Sequence, residues 1–172
     1  MAIARIETPR EFFDHVVEVD VAECLRGEPD LRKAYHACIS LFSLRDWIVE
    51  TCKGRQWMSS GVAQPAIATK KQFLKSLVGL DGKFAIVTDI ANASKHMMLE
   101  PGRGETTLYG AANTEIHTTG GMIAGGGIGF GPIAGSSASR IMVKIGNQFH
   151  DVKDCIISVG DLWRRLMTEN SW

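Results

Sequence analysis

One short stretch of this sequence has the residue types needed for acid–base chemistry: it runs Asp89-Ile-Ala-Asn92-Ala-Ser-Lys95-His96. On a helix, Asp89, Asn92 and His96 fall at positions i, i+3 and i+7 and therefore line one side. A carboxylate and an amide beside an imidazole can orient the ring for proton transfer. The same groups can equally form a buried polar network that fixes how helices pack. The row is therefore either a candidate catalytic site or a structural network, with Lys95 as its neighbouring cation.

A second group of polar residues lies on the helix predicted for residues 31–52. Arg32 and His36 are four residues apart, and Asp46 lies ten residues beyond His36, near the same face. If this helix packs antiparallel to the helix that carries the row, Asp46 lies near the start of the row's helix and His36 near its end. We therefore take Arg32, His36, Asp46 and Lys95 as candidate binding residues.

Several common kinds of site lack their sequence signatures in this chain. The glycine-rich segment contains neither Lys-Ser nor Lys-Thr, so it is not a P-loop, and the chain has no G-x-S-x-G. Its four cysteines form no C-x-x-C pair and have no histidine at zinc-ligand spacing. We therefore predict no metal and no cofactor, and we interpret the cysteines as small buried apolar residues in a reducing compartment.

Four helices are predicted to position these residues. The first begins at a capping box formed by Thr8 and Glu11, with Pro9 in its first turn, and ends near Gly27. Its expected apolar face consists of four residues, Phe12, Val16, Val19 and Leu25.

The later helices are marked by similar signals. The second spans residues 31–52, and residues 55–68 are predicted to form a loop. The third begins at Thr69 and continues to about Leu99, with Asp81-Gly82 as a possible break in its middle. The last follows Asp151, its predicted N-cap. Its expected apolar face consists of Val152, Cys155, Ile156, Val159, Leu162, Trp163 and Leu166.

The pattern changes to strands between the third and the last helix. Residues 106–118 and 140–149 are rich in β-branched and alternating residues, and Gly146-Asn147 suits a tight turn. We therefore expect a β-hairpin insertion over residues 105–150, containing a flexible glycine-rich segment over 120–135. That segment also carries apolar residues, so it could be a flap over a pocket, a contact between subunits or a poorly ordered loop.

Composition and charge restrict the class of protein. The chain has 172 residues, 45% of them hydrophobic, and equal numbers of acidic and basic residues, 19 of each. A zero net charge gives no general signature of binding to nucleic acid or to a lipid surface. No apolar run is long enough to span a membrane, and the first residues lack the pattern of a signal peptide, so we expect a cytoplasmic protein.

The charges are unevenly distributed, however. Acidic residues dominate residues 1–30, and basic residues dominate residues 31–99. Two explanations remain open: acidic and basic helices pack against each other, or a basic face binds an anionic ligand.

The layout of two long helices, a polar helix with Asn92 and Lys95-His96, and a C-terminal helix resembles the HEPN superfamily. That superfamily comprises bacterial helical-bundle proteins, many of which are ribonucleases. The resemblance covers residues 10–99 and 151–169. The signature of the family is an arginine, a polar residue and a histidine four to six positions beyond the arginine; here Arg10-Glu-Phe-Phe-Asp-His15 matches it.

Taken together, these features predict one α+β, mainly α domain over residues 1–172, a bundle of about four helices with the β-hairpin before the C-terminal helix. The function that we expect is non-catalytic: a binding or interaction module that forms a homodimer or binds a protein partner. The resemblance implies an alternative, a metal-independent ribonuclease that binds RNA. In that alternative His96 is the general acid–base, Asp89 and Asn92 orient it, and Lys95 or Arg32 stabilises phosphate charge.

Overall fold

The computed structural model describes residues 5–94, the backbone of residues 114–119, and residues 138–172, of which 138 and 139 are described by backbone alone. Its helices are α1 (Pro9–Phe12), a π-helical segment (Phe13–Val17), α2 (Glu18–Leu25), α3 (Leu31–Cys52), α4 (Lys70–Leu80), α5 (Lys83–Ala93) and α6 (Val152–Asn170). Its strands are β1 (Trp57–Ser59), β2 (Val62–Gln64), β3 (Thr114–Thr119), β4 (Ala138–Ile145) and β5 (Gln148–Asp151).

Residues 9–25 form one continuous helical run that begins at the predicted capping box. The Thr8 hydroxyl accepts a hydrogen bond from the Glu11 amide, and the Glu11 carboxylate accepts one from the Thr8 amide. The buried face of this run differs from the predicted one. The run buries Phe13, Val17 and Val21, whereas Val19 is 47% exposed.

α3 lies at the centre of the bundle and contacts every other described helix. The Asp30 side chain caps its start by accepting hydrogen bonds from the amides of Arg32 and Lys33. Near its middle, the indole nitrogen of the buried Trp163 on α6 donates to the carbonyl oxygen of Leu41, at 2.9 Å. This bond satisfies the only polar atom of the Trp163 side chain in the core of the bundle.

The long third helix that the sequence predicts is divided in two at the expected Asp81-Gly82 break. The Asp81 carboxylate accepts from the Lys83 amide at 2.9 Å, and its other oxygen accepts from the Ser158 hydroxyl on α6 at 2.7 Å. One side chain therefore both caps the start of α5 and joins the turn between α4 and α5 to the last helix.

Residues 55–68, predicted to be a loop, contain the short antiparallel hairpin of β1 and β2. Ser60 and Gly61 form its two-residue turn, both with positive φ angles (51° and 76°) as a tight hairpin turn requires. The Asn170 side chain at the end of α6 accepts from the Met58 amide at 2.6 Å and donates to the Met58 carbonyl at 3.0 Å. A carboxamide thus takes the place of a neighbouring strand along the outer edge of β1.

A three-stranded antiparallel sheet in the order β3-β4-β5 precedes α6. The predicted turn at Gly146-Asn147 joins β4 to β5, and Ile116 on β3 lies opposite Ile141 on β4. The buried Ile141 and Val143 face the bundle. The glycine-rich segment 120–135 lies outside the described residues.

The predicted fold class is confirmed: the protein is α+β, mainly α, with small antiparallel sheets attached to a helical bundle. All seven residues of the predicted apolar face of α6 are buried. In the part of the chain that the structure describes, no helix is both long enough and apolar enough to span a membrane.

Candidate functional site

The predicted row on the third helix is placed only in part. Asp89 and Asn92 lie on α5, where Asp89 is fully buried and Asn92 partly exposed. Lys95 and His96 lie outside the described residues. The neighbouring Thr88 is also buried, and its hydroxyl has no hydrogen-bond partner among the described residues. Of the two described members of the row, Asp89 therefore faces the interior, whereas Asn92 is partly accessible.

The predicted binding residues on α3 are not brought together. Arg32 is exposed and lies 4.0 Å from the Asp30 carboxylate, and His36 is exposed one turn further along α3. Asp46 is fourteen residues beyond Arg32 and hence roughly 21 Å away along the helix axis. Arg32 and Asp46 therefore cannot bind one small ligand together.

Asp46 instead joins α3 to the start of α4, the contact that antiparallel packing predicts. The Asp46 carboxylate pairs with the Lys70 ammonium at 3.3 Å and with the guanidinium of the buried Arg45 at 2.6 Å. Lys70 also pairs with Glu50, and its hydrogen bonds to Glu50 and Asp46 raise the pKa of the ammonium. The Arg45 guanidinium lies over the Phe42 ring, 4.1 Å from its centre. Through these contacts the Asp46 carboxylate holds α3 and α4 together.

The motif that resembles the HEPN signature lies at the start of the helical run. The Arg10 side chain pairs with Asp14 at 2.8 Å and lies over the Phe13 ring, 5.9 Å from its centre. His15 is exposed in the π-helical segment. The described contacts of Arg10 are thus with its own helix.

A pocket that the sequence did not predict lies between the end of α2 and the start of α6. Its volume is about 370 Å³, and we call it the α2–α6 pocket. Its lining residues come from α2, the α2–α3 turn, α3, β4, β5 and α6: Cys24, Gly27, Glu28, Pro29, Ala34, Arg140, Ile141, Asp151, Val152, Lys153 and Asp154.

The lining of this pocket combines buried apolar residues with charged ones. The apolar part consists of Ala34, Ile141 and Val152, which are at most 7% exposed. The Asp151 carboxylate accepts from the Lys153 amide at 2.9 Å and pairs with the Arg140 guanidinium at 3.4 Å, so it is already neutralised within the protein.

Three charged groups of the lining remain exposed at the mouth. The Lys153 ammonium donates to the Leu25 carbonyl at 3.4 Å, but no carboxylate in the described residues pairs with it. Glu28 and Asp154 are exposed and likewise have no described ion pair. The pocket therefore presents one cation and two anions to a ligand.

The one cysteine in the lining is a weak nucleophile. Burial raises the pKa of the Cys24 thiol above its ordinary value, although the nearby Lys153 opposes the shift. Behind it, burial raises the pKa of Cys38 well above the usual range, and the neighbouring Cys24 and Cys155 raise it further. Thiols with raised pKa values stay protonated at neutral pH, and the reactive form is the thiolate. The described lining is therefore suited to binding a charged ligand.

Sequence reasoning named some of these residues, but only as structural signals. Asp151 was predicted as an N-cap and Gly27 as a helix end, and nothing in the sequence indicated that they are close in space. The one available signal was the acidic excess of residues 1–30, which include Glu28. Across the described residues, no group of histidine, cysteine and carboxylate side chains could hold a metal ion. Comparison of the chain with protein-family models, with curated proteins and with solved structures finds no match.

Proposed function

We propose that the protein is a binding module whose α2–α6 pocket takes a small molecule that carries both a positive and a negative charge. The observation that carries this proposal is the pocket itself, which joins a buried apolar floor to charges of both signs that form no ion pair with any described residue. Small-molecule sites in proteins typically combine an apolar lining with a few polar groups that orient the ligand. The volume of about 370 Å³ is near the lower end of the range for such sites.

The chemistry of the ligand follows from the lining charges that have no ion-pair partner in the described part of the chain. A ligand carboxylate would pair with the Lys153 ammonium, and a ligand ammonium would pair with Glu28 or Asp154. The apolar side chain of the ligand would lie against Ile141 and Val152. This pattern fits a free amino acid with an apolar side chain, or a similar zwitterion.

The experiment is a titration of ¹⁵N-labelled protein with free leucine, and in parallel with isoamylamine and isocaproate, which each keep one of its charges. We expect leucine to shift the amide resonances of residues 24–34 and 140–154 and to bind at least tenfold more tightly than either singly charged analogue. Lys153→Gln should weaken leucine binding at least fivefold. Val62→Gln, an exposed substitution on the hairpin, should leave binding unchanged.

Two results would contradict the proposal. One is that neither leucine nor any other apolar amino acid shifts the amide resonances of these residues. The other is equal binding by the zwitterion and its singly charged analogues, which would show that the charges play no part. Cys24→Phe, which fills the half-buried wall of the pocket, provides a second variant that tests the location without changing the charge.

The quaternary arrangement stays a prediction within this proposal. The exposed large apolar side chains of the described residues are spread over α2, α4, α6, β5 and the hairpin. Light scattering coupled to size-exclusion chromatography measures whether the chain forms the homodimer that we propose, and cell fractionation measures whether it is cytoplasmic.

A further inference from the structure

A second cavity, of about 390 Å³, lies on the other side of the bundle, between residues 65–68 and α4. We call it the α4 groove. It is lined by Trp57, Pro65, Ala66, Ile67, Ala68, Gln72, Phe73, Lys75 and Ser76. The apolar side chains beneath it, Trp57, Ile67 and Phe73, are each 2% exposed.

The backbone beside this groove has amides and carbonyls that form no hydrogen bond within the described chain. The Ile67 amide donates to the Arg55 carbonyl at 3.0 Å, and the Ile67 carbonyl accepts from the Gly54 amide at 2.7 Å. In an extended chain the amides and carbonyls of successive residues point in opposite directions. Those of Ala66 and Ala68 therefore point away from residues 54–55, and within the described chain they form no hydrogen bond. This leaves a short free edge of the kind to which another strand can add.

Beside the helical side of the groove lies positive charge that no described residue neutralises. Lys71 and Lys75 lie one turn apart on α4, are exposed, and form no ion pair with any described residue. Lys70 differs, because its ammonium is already paired with Asp46 and Glu50 on α3. The groove thus combines a free backbone edge with one cation in its lining, Lys75, and a second cation, Lys71, one helical turn before it.

From these features we infer that the α4 groove binds an extended acidic peptide segment of a partner protein. The peptide backbone would pair with the amides and carbonyls of Ala66 and Ala68, as in strand addition to the edge of a sheet. Alternate side chains of an extended peptide point to opposite sides, so acidic ones can reach Lys71 and Lys75. A nucleic acid fits less well, because base stacking needs exposed ring faces and the Trp57 and Phe73 rings are buried.

This inference concerns a different surface from the α2–α6 pocket and does not depend on the zwitterion proposal. The experiment is selection from a displayed library of random octapeptides by the full-length protein. We expect enrichment of sequences in which Asp or Glu alternates with apolar residues. The highest-ranked peptide is then synthesised with a fluorescent label, and its binding is measured by anisotropy.

Matched variants of protein and peptide locate the interaction. The double variant Lys71→Glu/Lys75→Glu should weaken binding at least tenfold, whereas Lys144→Glu, a charge reversal at an exposed lysine on β4, should not alter it. Methylation of alternate backbone nitrogens along one edge of the peptide should also weaken binding at least tenfold, because it removes the donors to the Ala66 and Ala68 carbonyls. Circular dichroism checks that each protein variant is folded.

Three outcomes would overturn the inference: no enrichment of acidic peptides, unchanged binding by the Lys71/Lys75 double variant, or full binding by the methylated peptide. Displacement of the peptide by single-stranded RNA at lower concentrations than by unlabelled peptide would instead assign the lysines to nucleic acid. The Lys71/Lys75 double variant separates this groove from the α2–α6 pocket, since neither residue lines that pocket.

Discussion

Removing the Ser158 hydroxyl is expected to destabilise the protein by about 1.5 kcal/mol, because it breaks the bond that joins α6 to the α4–α5 turn. The Ser158 hydroxyl donates to the Asp81 carboxylate at 2.7 Å in a partly buried position. Hydrogen bonds to charged groups contribute about 1.5–3 kcal/mol, and partial exposure favours the lower end of this range. Asp81→Ala removes the same bond and also the cap on the Lys83 amide, which adds about 1 kcal/mol. That variant should therefore lose about 2.5 kcal/mol.

The double variant separates the shared bond from unrelated effects. Because Asp81→Ala already breaks the bond, adding Ser158→Ala should cost little more, and the double variant should also lose about 2.5 kcal/mol. The free energies of unfolding are measured by urea titration at pH 7, followed by tryptophan fluorescence. Ser76→Ala is the control, since its hydroxyl bonds only to a carbonyl of its own helix, at 3.3 Å, and should cost under about 0.5 kcal/mol.

Simple additivity would refute this reasoning. If the double variant loses about 4 kcal/mol, the coupling between Asp81 and Ser158 is close to zero and the bond contributes nothing to stability. The break between α4 and α5 would then depend on the local preferences of Asp81-Gly82 alone.

Two further predictions concern titration and catalysis. Burial raises the pKa of Cys155 from the ordinary value of 9.0 to about 12. The thiol therefore ionises at lower pH in the unfolded chain than in the folded one. Because ionisation favours the unfolded chain, stability is lost as the pH rises from about 9 to about 12. Between pH 8 and pH 10 the wild type should lose about 1.4 kcal/mol more than Cys155→Ala in urea titrations; equal losses would contradict the assignment. For the ribonuclease alternative, labelled single-stranded RNA is incubated with EDTA and folded wild type, His96→Ala or the control His150→Ala. Cleavage lost only in the first variant would establish the alternative, whereas no cleavage, or equal cleavage by all three, would exclude His96 as the catalyst.

Much of the bundle could be predicted from local sequence, because its helices carry their own start signals and periodic apolar faces. The capping box of Thr8 and Glu11 forms as expected, and Asp151 caps α6 through its bond to the Lys153 amide. The apolar face of α6 is correct in every position because a regular α-helix keeps one period over its whole length.

The errors arise where local geometry departs from that period or where an element is very short. The π-helical turn, Phe13–Val17, widens the first helix and changes the facing of the residues that follow it, among which Val19 is exposed. The hairpin of β1 and β2 has only three residues in each strand, too few for alternation to be recognised. Part of its support comes from Asn170, far away in the sequence, which no local pattern could indicate.

The pocket was missed for a different reason, namely that it exists only through tertiary packing. Cys24, Glu28 and Asp154 belong to separate elements, and each is an ordinary surface or helix-end residue when considered alone. The polar row was found because its residues are close in sequence, but proximity in sequence does not determine exposure. Asp89, chosen as a catalytic candidate, is fully buried.

The helix α6 connects the two surfaces for which we propose ligands, and its packing determines whether they influence each other. Its first turn lines the α2–α6 pocket, and its last turn holds the hairpin that contributes Trp57 to the α4 groove. Its 19 residues place these ends roughly 28 Å apart. Coupling between two sites requires an element with two alternative arrangements. Because α6 is anchored along its length, through Ser158, Trp163 and Asn170, it has no evident second arrangement in this structure, and we expect the two surfaces to bind their ligands independently.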